Sequence, residues 1–159
     1  MKIVIIGGGP GGYVAAIKAA QLGAEVTIIE KENLGGTCLN KGCIPTKVLL
    51  HTAQQFETAK NDYEESGIEI DNARVNWSKL QLRKEKTVKK LTSGVDVLLR
   101  KNGVIKISGE GSFKNKNQII VKKCDGSSAV ADFDYAIIAT GSTPSVPPMP
   151  GVKLGAVIT

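Results

Sequence analysis

The chain opens on an unbroken apolar run, Ile3-Val4-Ile5-Ile6, which glycines from Gly7 to Gly12 cut short. That pattern predicts a short strand covered on both faces and running into a turn. From Gly12 to Leu22 the residues Val14, Ile17 and Ala20 recur at helical spacing, and Gly23 stands where a helix C-cap takes a positive φ. Val26-Thr27-Ile28-Ile29, bounded by Glu25 and Glu30, is rich in β-branched residues and predicts a second strand. A right-handed crossover makes it parallel to the first, so one βαβ unit fills the first thirty residues.

Farther along, Val48, Leu49, Ala53 and Phe56 keep helical spacing from Cys38 to about Lys60, interrupted near the start by Gly42 and Pro45. Tyr63 to Ala73 reads as a loop. A longer helix is expected from about Val75 to Arg100, with Leu80, Val88, Leu91, Val95 and Leu98 on one stripe and Lys84, Lys86, Lys89 and Lys90 largely off it. Beyond Gly103, the runs Val104 to Ile107, Gln118 to Val121 and Ala129 to Phe133 read as strands of a small antiparallel meander. Gly109, Gly111, Asn115, Asn117 and Asp125-Gly126 separate them. Tyr135-Ala136-Ile137-Ile138-Ala139 is again fully apolar and ends at Thr140-Gly141-Ser142, which predicts a return to the parallel sheet. From Pro144 onward, four prolines within seven residues make a stiff linker.

Composition narrows the class without deciding the function. The 159 residues are 42% apolar and 23% charged, enough to bury one core. No apolar run approaches the roughly 20 residues of a membrane span, and none forms a targeting segment. The formal charge of +6 suits nucleic acid or an anionic cofactor. Aromatic residues are only 4% of the chain, too few for base-stacking platforms, so the basic stretch from Lys79 to Lys106 reads as a solvated face. Three cysteines are too few, and odd in number, for a secreted disulfide scaffold. The expectation is a cytoplasmic protein that binds neither membrane nor nucleic acid.

Gly7-Gly8-Gly9-Pro10-Gly11-Gly12 fits G-x-G-x-x-G directly after a strand and before a helix, with Glu30 eighteen residues beyond Gly12. Gly7 permits the tight turn, Gly9 lets the backbone approach a pyrophosphate, and Gly12 lets helix pack on strand. The helix N-terminus supplies oriented N–H donors. Glu30 would accept hydrogen bonds from ribose hydroxyls and repel a 2′-phosphate, which points to FAD or NAD rather than NADP. The fold class is therefore α/β, a Rossmann-like dinucleotide-binding domain with a central parallel sheet, flanking helices and a small antiparallel meander.

Cys38-Leu39-Asn40-Lys41-Gly42-Cys43 follows eight residues past Glu30. In a regular helix, residues five apart have Cα atoms about 8.6 Å apart, beyond the ~7 Å that a disulfide tolerates. The pair can bond only where the helix is distorted, as Gly42 and Pro45 would allow. An exposed, exchangeable disulfide is one reading, with the helix dipole and Lys47 favouring a thiolate. A structural disulfide, a zinc site recruiting Cys124 and His51, and two unrelated thiols stay open beside it. Cys124 reads as a half-buried residue, and His51, the only histidine, as a packing or capping one.

Gly35-Gly36-Thr37-Cys38-Leu39-Asn40 and Gly42-Cys43-Ile44-Pro45-Thr46-Lys47 resemble the redox signature of the pyridine nucleotide-disulfide oxidoreductases. Leu39-Asn40, Ile44-Pro45 and Leu49-Leu50-His51 are more similar to that family's dihydrolipoamide dehydrogenase branch than to its glutathione or mercuric reductases. Lys41, where valine is frequent, and Thr46, where serine is frequent, are mild departures. The resemblance implies FAD held by Gly7, Gly9, Pro10, Gly11, Gly12 and Glu30, with Lys31, Gly36, Thr37, Gly111, Thr140, Gly141 and Ser142 lining its site. It also implies a redox pair in which Cys38 is the interchange thiol and Cys43 lies beside the flavin, near Lys47. In the family's reaction a dihydrolipoyl thiolate attacks the sulfur matching Cys38, that matching Cys43 is released as a thiolate, and electrons pass through FAD to NAD+. A lipoyl-bearing acyltransferase of a 2-oxo acid dehydrogenase or glycine cleavage complex would be the partner, and the family's enzyme is a homodimer. No metal site is implied.

The resemblance further implies an NAD-binding domain, a returning FAD segment, an interface domain and a histidine–glutamate base, for which these residues have no counterpart. The expectation is thus a fragment inactive by itself, with residues 1–143 forming an incomplete FAD-binding domain and 144–159 a linker. A dinucleotide-binding module that never cycles its cysteines is the competing reading.

Overall fold

A computed structural model of the protein describes residues 1–61 and 67–157. The loop expected over Tyr63 to Ala73 lies partly outside them. The elements run β1 (Lys2–Ile6), α1 (Pro10–Gln21), β2 (Glu25–Glu30), α2 (Gly36–Asn40), α3 (Cys43–Asn61), α4 (Trp77–Lys101), β3 (Ile105–Ser108), β4 (Glu110–Asn115), β5 (Gln118–Lys122), β6 (Ser128–Asp132) and β7 (Tyr135–Ile138).

Four strands form a parallel sheet in the order β3-β2-β1-β7. Ile3 is paired with Val26 on one side and with Tyr135 on the other. Alternation along the strands divides the apolar residues between two layers. Ile5, Val26 and Ile28 face Ala16 of α1 and Val95 and Leu99 of α4. Val4, Ile6 and Ile29 point the other way, onto Ile119, Val121 and Phe133. That second layer belongs to an antiparallel sheet, β4-β5-β6. The first thirty residues thus fold as the βαβ unit that their periodicity predicts, and β7 returns to the parallel sheet.

Three expectations need correction. The run Val104 to Ile107 does not join the meander: β3 pairs with β2 in the parallel sheet. The third meander strand is instead β4, where Gly109 just before it and Gly111 within it read as turn residues in the sequence. Gly111 sits within this strand because its missing side chain brings the backbone against Ile29 and Ile119; an added Cβ would stand 3.3 Å from Ile29. On α4, the core stripe is Leu80, Val95 and Leu99, while Leu91 and Leu98 are exposed. The 3.6-residue period carries the buried face from Val95 to Leu99 rather than back to Leu98. Cys124, finally, is exposed rather than half-buried.

Candidate active site

The site is built at the C-terminal ends of β1, β2 and β7. Gly7 turns the chain out of β1 with φ of +106°, a conformation costly for any residue with a side chain. The turn is so tight that a Cβ on Gly12 would land on the Gly7 carbonyl oxygen. Pro10 begins α1, where its missing N–H is no loss and its fixed φ suits the first turn. That turn carries no acidic residue of its own, and the amides of Gly11 and Gly12 lack helical acceptors.

Glu30 ends β2 and closes the other side. One carboxylate oxygen accepts from the Gly8 amide at 2.6 Å, and the other accepts from the Glu32 amide at 2.7 Å. The first of these bonds ties the strand's acid directly to the glycine turn. Gly8, which the fingerprint leaves as an arbitrary position, is the residue that sequence reasoning missed. Its signal was the middle glycine of Gly7-Gly8-Gly9, since a Cβ there would stand 2.8 Å from Leu34 and 3.0 Å from Glu30.

The cysteine segment is laid over this turn by a second pair of glycines. The Gly35 amide donates to the Gly8 carbonyl at 2.8 Å, and a Cβ on Gly36 would stand 2.7 Å from the Gly9 Cα. Asn40 Nδ2 fastens α2 by donating to the Leu34 carbonyl at 3.0 Å and the Gly36 carbonyl at 2.9 Å. Helix α2 stops at Asn40 and α3 starts at Cys43, so the two cysteines flank a break in the helical path. Their Cα atoms are 4.7 Å apart, and Cys38 and Cys43 form a disulfide. The distortion expected at Gly42 is this break, and the Thr46 amide donates to the Gly42 carbonyl at 3.0 Å to open the next helix. Pro45 does not interrupt α3; it occupies the first turn, where no N–H is needed.

Cys43 is exposed and Cys38 half-buried. Lys47 follows Cys43 by one helical turn on the same face of α3 and is exposed. His51 lies exposed in the body of α3, away from either helix end and so not a cap. The disulfide removes both cysteines from any zinc site, and among the described residues no group of three or more His, Cys, Asp or Glu side chains could hold a metal ion. Thr37 and Lys31 are exposed beside the turn, Gly111 lies on the meander side of β2, and Thr140, Gly141 and Ser142 leave β7 next to Gly7. No helix among the described residues is long and apolar enough to cross a membrane.

A disulfide held over a glycine-rich phosphate-type turn is the arrangement of flavin-linked disulfide reductases, and a family model for pyridine nucleotide-disulphide oxidoreductases matches residues 1–159. The chain belongs to that family. Among its curated relatives, dihydrolipoyl dehydrogenase of Acholeplasma laidlawii is 50% identical over 152 residues, covering 96% of this chain and 44% of the relative. The mitochondrial dihydrolipoyl dehydrogenase of Canis lupus familiaris is 47% identical over 154 residues, covering 96% and 30%. A solved structure of the HOCl-induced flavoprotein disulfide reductase RclA from Escherichia coli, as a Cu(II) complex, superposes with a TM-score of 0.79 at 29% identity over 96% of this chain and 31% of that one. The chain therefore spans less than half the length of these relatives.

Proposed function

We propose that these residues form the FAD-binding, disulfide-bearing part of a dihydrolipoamide dehydrogenase, with 1–143 as the cofactor domain and 144–159 as a linker. The single observation that carries the reading is the Cys38–Cys43 disulfide fastened directly above the glycine turn. The residues fit FAD. The first turn of α1 offers unpartnered amides and no acid of its own to a diphosphate, and Glu30, at the end of β2 beside the glycine turn, would accept from ribose hydroxyls. Gly9, Pro10, Gly11, Gly12, Gly36, Thr37, Lys31, Gly111, Thr140, Gly141 and Ser142 complete the cradle, with Lys47 toward the ring. When bound, FAD supplies a two-electron acceptor beside the dithiol.

The chain's own part is thiol–disulfide exchange. A thiolate of the dihydrolipoyl group attacks Sγ of Cys38; the S–S bond breaks and Sγ of Cys43 leaves as a thiolate. The second substrate thiol displaces Cys38, so the substrate becomes a disulfide and the protein holds two reduced sulfurs. The α3 N-terminus and Lys47 favour the thiolate at Cys43. NAD+ as final acceptor, a lipoyl-bearing acyltransferase as donor, and a homodimer belong to the whole enzyme of this reading. A cytoplasmic setting suits the exposed free thiol of Cys124.

The test is a flavin absorbance titration followed by addition of dithiol. Binding of FAD and a long-wavelength thiolate-to-flavin band on reduction are expected. A flavin that binds without any band, in the native protein as in Cys43→Ser, would make this a dinucleotide module with idle cysteines.

A further inference from the structure

Helix α4 carries a feature that the redox chemistry does not use. Between Lys79 and Lys90 stand six cations, Lys79, Arg83, Lys84, Lys86, Lys89 and Lys90, against one acid, Glu85. This half-helix therefore holds a net +5 of the chain's +6. Lys79, Arg83, Lys86 and Lys90 follow one another at steps of four, three and four residues, which places them in one row. At about 100° per residue, the row lies roughly 150° around the helix from the buried stripe of Leu80, Val95 and Leu99. All four are exposed, and none of them is in an ion pair among the described residues.

Such a row works against the helix that carries it, because each consecutive pair sets like charges on neighbouring turns. Two other cations of α4 do have partners: Arg100 is paired with Asp96 at 3.1 Å, and Lys84 donates to Gln81 at 2.7 Å. With Leu82 and Thr87 the row borders a shallow, open space of about 440 Å³ between side chains of this one helix. Leu82 is 56% exposed along one side of the row, an apolar contact next to the charges.

We propose that this row is a docking surface for an acidic protein helix that carries Asp or Glu at matching three- and four-residue spacing and an apolar residue to cover Leu82. Complementary charge supplies steering, and Leu82 supplies an area to desolvate. The row spans about 16 Å from Lys79 to Lys90, close to three helical turns. A nucleic acid fits less well, since no aromatic side chain lies along the row and Leu82 would be left against phosphates.

The experiment is a fluorescence-anisotropy titration of the protein against three labelled probes of about 15 residues: a helical peptide with Glu in the matching row and one Leu, its scrambled isomer, and a single-stranded oligonucleotide of equal charge. The patterned peptide should bind at least tenfold more tightly than the other two. K79Q/R83Q/K86Q/K90Q should weaken it at least tenfold, while K114Q/K116Q/K122Q/K123Q, which removes the same charge elsewhere, should change it less than twofold. Far-UV circular dichroism checks that both variants keep their helix content. As a second variant, R83E should lose the peptide and recover it when the facing Glu of the probe is changed to Lys. Equal losses in the two quadruple variants, tighter binding of the oligonucleotide, or no preference over the scrambled peptide would overturn the proposal.

Discussion

Single residues decide whether the two halves of the site meet. A side chain on Gly12 would collide with the Gly7 carbonyl, so Gly12→Ala is expected to destabilise the fold by about 3 kcal/mol and to lower FAD affinity with it, measured by urea unfolding and flavin titration. The two cysteines should separate in the absorbance spectrum. Cys38→Ser leaves the thiol of Cys43 free and should show the long-wavelength band with FAD without added reductant, whereas Cys43→Ser should never show it. The G-x-G-x-x-G fingerprint, Glu30 and the cysteine pair were legible in the sequence because each is a spacing of chemically distinctive residues. The roles of Gly8 and Asn40 were not, since an amide that bonds Glu30 and a carboxamide that fastens α2 are facts of folded geometry, even though the extra glycine and the Leu39-Asn40 pair stand out in the sequence.

At the scale of elements, the periodicity of α4 puts Leu80 and Val95 on the buried face, as the structure does, and differs from it chiefly in taking Leu98 for Leu99. Its apolar residues exceed what one face can bury, so several registers fit the sequence and only packing against α1 and the sheet selects Leu99 over Leu98. Leu99→Ala should therefore cost about 2–5 kcal/mol in denaturant unfolding. Leu98→Ala should stay within about 0.5 kcal/mol. Strand β3 was read correctly as a strand and assigned to the wrong sheet, because alternation says nothing about the neighbour. An ion cluster fastens β3 to α4: Lys106 donates to Asp96 at 2.7 Å and Arg100 pairs with it at 3.1 Å. The hydrogen bond from Lys106, and then the charges of Lys106 and Arg100, hold the Asp96 carboxyl below its ordinary pKa despite partial burial. A depressed carboxyl stabilises the fold above its unfolded pKa of about 3.9, and the contribution fades as pH falls through the folded value. Asp96→Asn should thus lose up to about 1 kcal/mol at pH 7, a deficit that shrinks as unfolding is followed to pH values below the ordinary carboxyl range.

For the molecule as a whole, the parallel sheet is a partition between two cores, and each takes alternate residues from the same strands. Long apolar runs made β1, β2 and β7 readable; β1 and β2 are covered on both faces, whereas β7 is an edge strand whose Ile137 and Ile138 are exposed. The meander was harder, because β4 is polar and exposed along most of its length and is held by its pairing with β5 and by the close approach of Gly111 to Ile29. Amide exchange should follow this division. The central β1 and β2 should exchange most slowly, whereas β4, β6 and β7, each with one open edge, should open sooner.

Reduction of the Cys38–Cys43 bond would leave its surroundings anchored. The Asn40 carboxamide, the Gly35 amide on Gly8 and the Thr46 amide on Gly42 do not depend on the sulfurs, so two thiols would remain opposite each other on a frame that has no need to move. Closing such a ring is an intramolecular encounter at very high effective concentration, far above that of any free thiol in solution. A small disulfide such as oxidised glutathione should therefore regenerate the internal bridge without lingering as an adduct, and mass spectrometry of the quenched protein should find Cys38 and Cys43 joined to each other and the added mass only at Cys124. The same rigidity that lines up the helices also keeps the site from being capped by the solutes around it.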